Sequence, residues 1–190
     1  VTDNPAQPDA GHMDLGLRLD PAFCQLHTAL QDPADLAFDL PDGLQTILRS
    51  YQKAGFRWLC LLNTYHCGGI LADDMGLGKT LQTLSFIRYL RETARLSNAV
   101  SAALPDGHSD HDERPLTAPA EGPAIVVAPT SLIYNWQDEA RHFTPELDCL
   151  VIEGSKEQRL QQIAQLESCD LAIFSYTVLR QDIKELAEHH

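Results

Sequence analysis

One stretch limits what this chain can fold into: Gly68-Gly-Ile-Leu-Ala-Asp-Asp-Met-Gly-Leu-Gly-Lys-Thr-Leu-Gln-Thr83. Ile70, Leu71 and Ala72 read as a short buried strand. Two close glycines follow, Gly76 and Gly78, and then Lys79 and Thr80. Beyond them Leu81, Leu84, Phe86, Ile87 and Leu90 are apolar almost all round, as in a buried helix. Strand, glycine-rich turn, Lys-Thr and helix together describe a phosphate cradle. Glycines let the backbone turn tightly enough to aim several N–H groups at one anion. The helix N-terminus adds a partial positive charge. Lys79 can reach the β- and γ-phosphates, and the Thr80 hydroxyl can ligate Mg²⁺. The general pattern G-x-x-x-x-G-K-[ST] has glycine where this chain has Asp73. An ordinary glycine-containing strand-to-helix turn therefore stays open at this level.

Length and charge narrow the function classes. The 190 residues, 44% hydrophobic and 22% charged, suit one globular domain with a sizeable core. No apolar run reaches transmembrane length, and Val1 to Asp20 is acidic rather than a basic-then-apolar leader. Five cysteines, odd in number and never spaced C-x-x-C, read as reduced thiols of a cytoplasmic protein. The net charge of −13 argues against a generally basic nucleic-acid binder. Its distribution is uneven: residues 48–92 hold six bases against three acids, whereas residues 123–190 hold five against eleven. Any DNA contact must use a local patch around the phosphate loop.

Residues 1–40 form an acidic, largely disordered lead-in, with a short helix expected over Pro21 to Gln31. Pro41-Asp-Gly43 is a turn signal. In Leu48 to Leu62, Tyr51, Gly55, Trp58 and Leu62 repeat at four, three and four, so that this face is expected to meet the core. Gln52 lies beside it, either solvated or offering its amide to an adenine edge. Thr93 to Gly122 loses periodicity and reads as a flexible insertion. Its His108, Asp110, His111 and Asp112 lack fixed metal-ligand spacing. Strands are expected at Ala124–Ala128, Cys149–Ile152 and Leu171–Phe174. Helices between and after them carry Leu132, Trp136, Ala140 and Phe143, and then Leu179, Ile183 and Leu186. Ser155 to Gln158 reads as a capping box. Alternating strands and helices specify an α/β fold with a parallel sheet, ligands sitting at the carboxyl ends of the strands.

Several stretches together resemble one family. Asp73-Asp-Met-Gly-Leu-Gly-Lys-Thr80 is similar to motif I of the SWI/SNF-type helicase-like ATPases, where aspartate takes the first glycine's place. Leu48 to Gln52, with Gly55 and Trp58, resembles the adenine-recognition segment. Ala128 to Trp136 resembles motif Ia, and Phe174-Ser-Tyr176 with Leu179 and Arg180 resembles motif Ib. The resemblance spans roughly residues 36 to 187, in order, and fits bacterial members best. It implies a RecA-like first lobe of an ATP- and Mg²⁺-using motor that translocates along duplex DNA. Asp73, Asp74, Met75, Gly76, Leu77, Gly78, Lys79, Thr80 and Leu81 would hold the nucleotide with Gln52, Lys79 and Thr80 being catalytic and Thr80 the Mg²⁺ ligand. Pro129, Thr130, Ser175 and Tyr176 would follow the DNA backbone; capping of the helices after the strands accounts for the same residue types.

In that family an Asp-Glu pair, motif II, follows motif Ib, and an arginine finger comes from a second lobe. Neither appears before His190. The expectation is therefore a partial lobe at residues 41–190, with an insertion at 93–122, that binds nucleotide weakly and hydrolyses essentially none. An open edge beside the phosphate-loop strand would favour self-association. Two other readings use the same loop: a stand-alone nucleotide-binding or protein-interaction module, and a small-molecule kinase. The kinase would need an acidic partner strand and an arginine-rich lid after Thr80.

Overall fold

Two apolar β-branched runs and one fully buried one set the frame. Ala124–Ala128 (β1), Cys149–Ile152 (β2) and Leu171–Ser175 (β3) pair in parallel in the order β1-β3-β2. Ala124 faces Leu171 and Ala128 faces Ser175, while Cys149 also faces Leu171 on the other side. The computed structural model describes residues 38–103 and 122–187 with His27, the side chains of 99–103 excepted. Its helices are Leu44–Ile47 (α1), Ser50–Thr64 (α2), Lys79–Ala103 (α3), Ile133–Phe143 (α4), Lys156–Ile163 (α5) and Tyr176–Ala187 (α6). Single 3-10 turns span Thr130–Leu132 and Leu166–Ser168.

The central strand β3 is buried at every residue because helices cover both faces. Side chains alternate across it. Leu171 and Ile173 join Leu84, Ile87, Val126, Ile133 and Ala140 on one side. Ala172 and Phe174 join Ile152, Ile163, Leu166 and Leu186 on the other. A third cluster packs Leu40, Leu44, Leu48, Phe56 and Cys60 against Leu81 at the start of α3. Asp170, just before β3, ties α3 to the sheet. It accepts from Arg91 Nε at 3.0 Å, from Arg95 Nη2 at 2.7 Å and from the Asp148 backbone N–H at 2.9 Å.

Five local expectations need correction. Ile70, Leu71 and Ala72 are not a strand: no ladder reaches them among the described residues, and Ile70 is 86% exposed. An apolar run becomes a strand only where a neighbour takes its backbone hydrogen bonds. Residues 93–103, expected to begin the flexible insertion, continue α3. No glycine or proline interrupts the run before Pro105, and Ala94, Leu96, Ala99, Ala102 and Ala103 favour a helix. Residues 104–121, with their acidic histidine cluster, and residues 1–37 other than His27 lie outside the described residues. On α2 the buried residues are Gln52, Phe56, Cys60, Leu61 and Leu62, so that of the expected face only Leu62 is buried. On α6 Ile183 is exposed, and Asp182 is buried in its stead with Leu186. Leu132 likewise sits exposed in a 3-10 turn rather than on the core face of α4. The Ser155 capping box is present, its hydroxyl accepting from the Gln158 N–H at 3.4 Å and its N–H donating to Gln158 Oε1 at 2.8 Å.

Asp182 is buried because Arg159 from α5 meets it with two bonds, Nε at 2.5 Å and Nη2 at 2.9 Å. That guanidinium holds the carboxyl below its ordinary value of 3.8. A lowered folded-state pKa contributes stability that is full above the ordinary value and is lost as pH falls through the folded one. Asp182→Ala leaves the cation without its partner and is expected to cost about 3 kcal/mol at pH 7. Urea denaturation checks this: the midpoint should drop, and the gap to the parent should narrow below pH 3.8.

Candidate functional site

The segment from Gly69 to Gln82 lies against the face of α2 that carries Tyr51, Gly55, Trp58 and Leu62. A Cβ on Gly69 would come 2.3 Å from a Leu62 methyl and 2.6 Å from the Trp58 ring. A Cβ on Gly55 would come 1.9 Å from Gln82 Oε1. The four-three-four repeat thus marks a contact face, but its partner is the phosphate-loop arm and not the hydrophobic core. Tyr51 Oη and Gln52 Nε2 both donate to the Leu77 carbonyl, at 3.2 and 3.1 Å.

Within the loop, Gly76 and Gly78 take φ values of +83° and +74°, the left-handed region that favours glycine. Gly78 is doubly required, since a Cβ there would lie 2.4 Å from Gln52 Nε2. The first bond into α3 runs from the Gln82 N–H to the Gly78 carbonyl at 3.1 Å. The N–H groups ahead of Gln82 are those that a helix start leaves to other acceptors. Lys79 curls back over the loop, its Nζ donating to the carbonyls of Asp73 at 2.7 Å and Asp74 at 2.8 Å. Asp74, Met75 and Leu77 are exposed, with Met75 outermost. Leu81 instead turns inward and is buried in the third core cluster.

Gln52 is buried, not solvated. Its Oε1 accepts from the Arg49 N–H at 2.9 Å while its Nε2 holds Leu77, so that one side chain caps α2 and clamps the loop. Thr80 stands half-buried in the first turn of α3, and the Glu139 carboxyl of α4 lies beside its hydroxyl. Burial pushes that carboxyl up, against the opposing pull of Thr80. Glu139 was not singled out in the sequence, although its position three residues after Trp136 places an acid on the inward side of α4.

The remaining candidates lie along one edge. Ala128 and Ser175 are partners across β1 and β3, so Pro129-Thr130 and Tyr176 leave from neighbouring carboxyl ends. Pro129, Thr130 and Tyr176 are exposed. Ser175 is buried, and its hydroxyl accepts from the Val178 N–H at 3.2 Å, capping α6. No side-chain bond caps the 3-10 turn at Thr130. Cys60, Cys67, Cys149 and Cys169 are free thiols. Burial raises Cys60 to about 12 and Cys149 to about 11, which leaves neither as a thiolate nucleophile at neutral pH. Among the described residues no group of His, Cys, Asp and Glu could by itself hold a metal.

Known proteins are similar to this chain in sequence and in fold. The SNF2-related domain family matches residues 51–190. The chain is 35% identical over 161 residues to TATA-binding protein-associated factor MOT1 of Saccharomyces cerevisiae, covering 83% of this chain and 8% of that protein. It is 36% identical over 135 residues to ISWI chromatin-remodeling complex ATPase ISW1 of the same yeast, covering 70% and 10%. The Sulfolobus solfataricus SWI2/SNF2 ATPase core, solved in complex with dsDNA, matches with a TM-score of 0.51 at 31% identity. That match covers 72% of this chain and 23% of the solved one. The chain therefore spans only a small part of the proteins it matches.

The glycine geometry can be tested directly. Gly76→Ala meets only the φ penalty, since nothing lies within 4 Å of its Cβ, whereas Gly78→Ala also strikes Gln52. Each left-handed alanine should cost roughly 1–2 kcal/mol in chemical denaturation, with Gly78→Ala the worse of the two. Equal costs, or no relief of Gly78→Ala by Gln52→Ala, would deny the Gln52 contact.

Proposed function

The chain belongs to the SNF2-related domain family, and on that premise we propose that it carries the ATP-binding part of a DNA-dependent ATPase and translocase. The supporting observation is the Asp73–Thr80 loop, with two left-handed glycines, the Lys79 ammonium folded across it and the start of α3 behind it. Turning from the Asp73 and Asp74 carbonyls to the β- and γ-phosphates exchanges neutral acceptors for charged ones, and charge-assisted bonds are the stronger. The hydroxyl of Thr80, with the phosphate oxygens, would hold Mg²⁺, whose preference is for hard oxygen donors. Bound there, Mg²⁺ would offset phosphate charge during transfer. Gln52 keeps a second amide hydrogen and a second lone pair for an adenine edge.

Pro129, Thr130 and Tyr176, on adjoining strand ends, would face a DNA backbone, with the Ser175 hydroxyl set behind them as a cap. The partners we assign are duplex DNA and a second RecA-like lobe. MOT1 is named for its association with TATA-binding protein and ISW1 for chromatin remodelling. We place this chain's parent activity in the same class, the displacement or movement of DNA-bound proteins. Free buried thiols favour a reducing, cytoplasmic setting. Exposed Ile125 on β1, an edge strand of the described sheet, together with exposed Ile70, favours self-association.

Residues 1–190 supply the phosphate loop but no Asp-Glu pair after Tyr176. We expect them to bind nucleotide and to hydrolyse essentially none. Titration of a fluorescent ATP analogue with Mg²⁺ should saturate, and Lys79→Ala should weaken it about tenfold or more, the loss of one charge-assisted contact. Steady-state phosphate release should stay at background with or without duplex DNA. DNA-stimulated turnover would overturn the inactivity, and binding indifferent to Lys79→Ala would overturn the site.

A further inference from the structure

Asp73 occupies the place where the general phosphate-loop pattern has glycine, and α3 grips it at both ends. Its carbonyl accepts from Lys79 Nζ at 2.7 Å, and its Oδ2 accepts from Gln82 Nε2 at 3.0 Å. Gln82 is fully buried. Its Oε1 is also buried and has no hydrogen-bond partner among the described residues. That oxygen fills the notch left by Gly55, where a Cβ would come within 1.9 Å. An apolar side chain of the same length would fill this space without burying an unpaired acceptor, so packing alone does not account for an amide here. Its N–H on a carboxylate does. A carboxylate within a phosphate loop repels the incoming polyphosphate unless it is turned away and hydrogen-bonded. When Lys79 reaches for phosphate it releases both loop carbonyls, and the Gln82 amide is then the bond that still ties Asp73 to α3.

We propose that Gln82 is a positioning residue for nucleotide binding: its buried amide, seated against Gly55, holds the Asp73 carboxylate inward and keeps the loop closed while Lys79 engages phosphate. The proposal rests on the nucleotide-binding reading of the loop. It makes Asp73 and Gln82 one unit, aspartate at the first loop position requiring a buried donor one helical turn beyond Lys79. Glycine, the commoner residue at that position, is therefore the wrong one for this chain.

The test is a double-mutant cycle on the full 190-residue chain, read as the Kd of a fluorescent ATP analogue with Mg²⁺. Thermal unfolding of each variant is recorded alongside. Gln82→Met removes the donor at similar length; Asp73→Gly restores the common pattern; Asp73→Asn keeps an acceptor for Gln82. Gln82→Met and Asp73→Gly should each weaken binding about tenfold, as loss of a bond to a charged group would. The double variant should be no worse than either single, and Asp73→Asn, which keeps an acceptor for Gln82, should lose less affinity than Asp73→Gly. A merely structural role would not give this non-additive pattern in affinity or the rescue by asparagine. If Gln82→Met fails to fold, the contrast between Asp73→Gly and Asp73→Asn still decides. Asp73→Gly binding as tightly as the parent, or losses that simply add, would overturn the proposal. A parent chain that binds no nucleotide, or binds it independently of Lys79, would instead remove the reading on which it rests.

Discussion

The Lys79 ammonium closes the loop on which the rest of the site depends. Two carbonyls, from Asp73 and Asp74, converge on one charged group at 2.7 and 2.8 Å. Only a backbone that turns left-handed at Gly76 and Gly78 brings those carbonyls and the start of α3 round the same amine. The closure is held from outside as well. Tyr51 and Gln52 fix Leu77, and Gly55 and Gly69 let α2 approach the arm of the loop. The start of α2 and the Asp73–Thr80 loop are thus one packed unit, although 25 residues separate Gln52 from Leu77. A change in α2 would reach the Asp73–Thr80 loop through these contacts.

The sheet holds this unit from the opposite end. Asp170 collects Arg91 and Arg95 of α3 and the Asp148 N–H at the point where β3 begins. Arg91 also donates to the carbonyls of Gly122 and Cys169, at 2.7 and 3.0 Å. The body of α3 is therefore pinned to the amino ends of the strands, while its first turn is bonded to the loop. Thr80 then faces Glu139 of α4, the helix that follows β1. A displacement of α4 would reach Thr80 directly, and α4 begins one 3-10 turn beyond Pro129 and Thr130. In this way the candidate DNA edge and the candidate metal ligand are separated by a single helix.

What could be read in the sequence was what local pattern decides. Ala124–Ala128, Cys149–Ile152 and Leu171–Phe174 are short apolar runs with their neighbours supplied by one another, and each is a strand. The Ser155 box is set by four adjacent residues. The loop was legible because glycine, lysine and threonine fall in one order. Ile70 to Ala72 misled because a strand is a property of two segments, and no described strand pairs with this one. The phase of α2 misled because two of its faces are packed, one on Leu81 and its cluster and the other on the loop arm. Asp182 was invisible because its partner, Arg159, is 23 residues away. Burial of Gln82 had the same cause: the space it fills belongs to Gly55 on another helix.

Charge counting is the instructive failure. Residues 48–92 carry a surplus of bases in an acidic chain, which suggests a positive patch for a polyanion. Two of the six, however, serve the fold: Arg88 pairs with Glu92 and Glu146, and Arg91 with Asp170. Arg49, Lys53, Arg57 and Lys79 stand outside those pairs, and of these only Lys79 lies in the loop. The net field of a chain at −13 repels phosphate at long range, and salt screens it within about 10 Å. Anion binding at such a site must then come from groups that act at contact distance: N–H dipoles at the start of α3 and one lysine that is already aimed. That places the demand on loop geometry and not on net charge, which is why a hydrogen bond orienting the loop's own carboxylate carries more weight here than another surface base would.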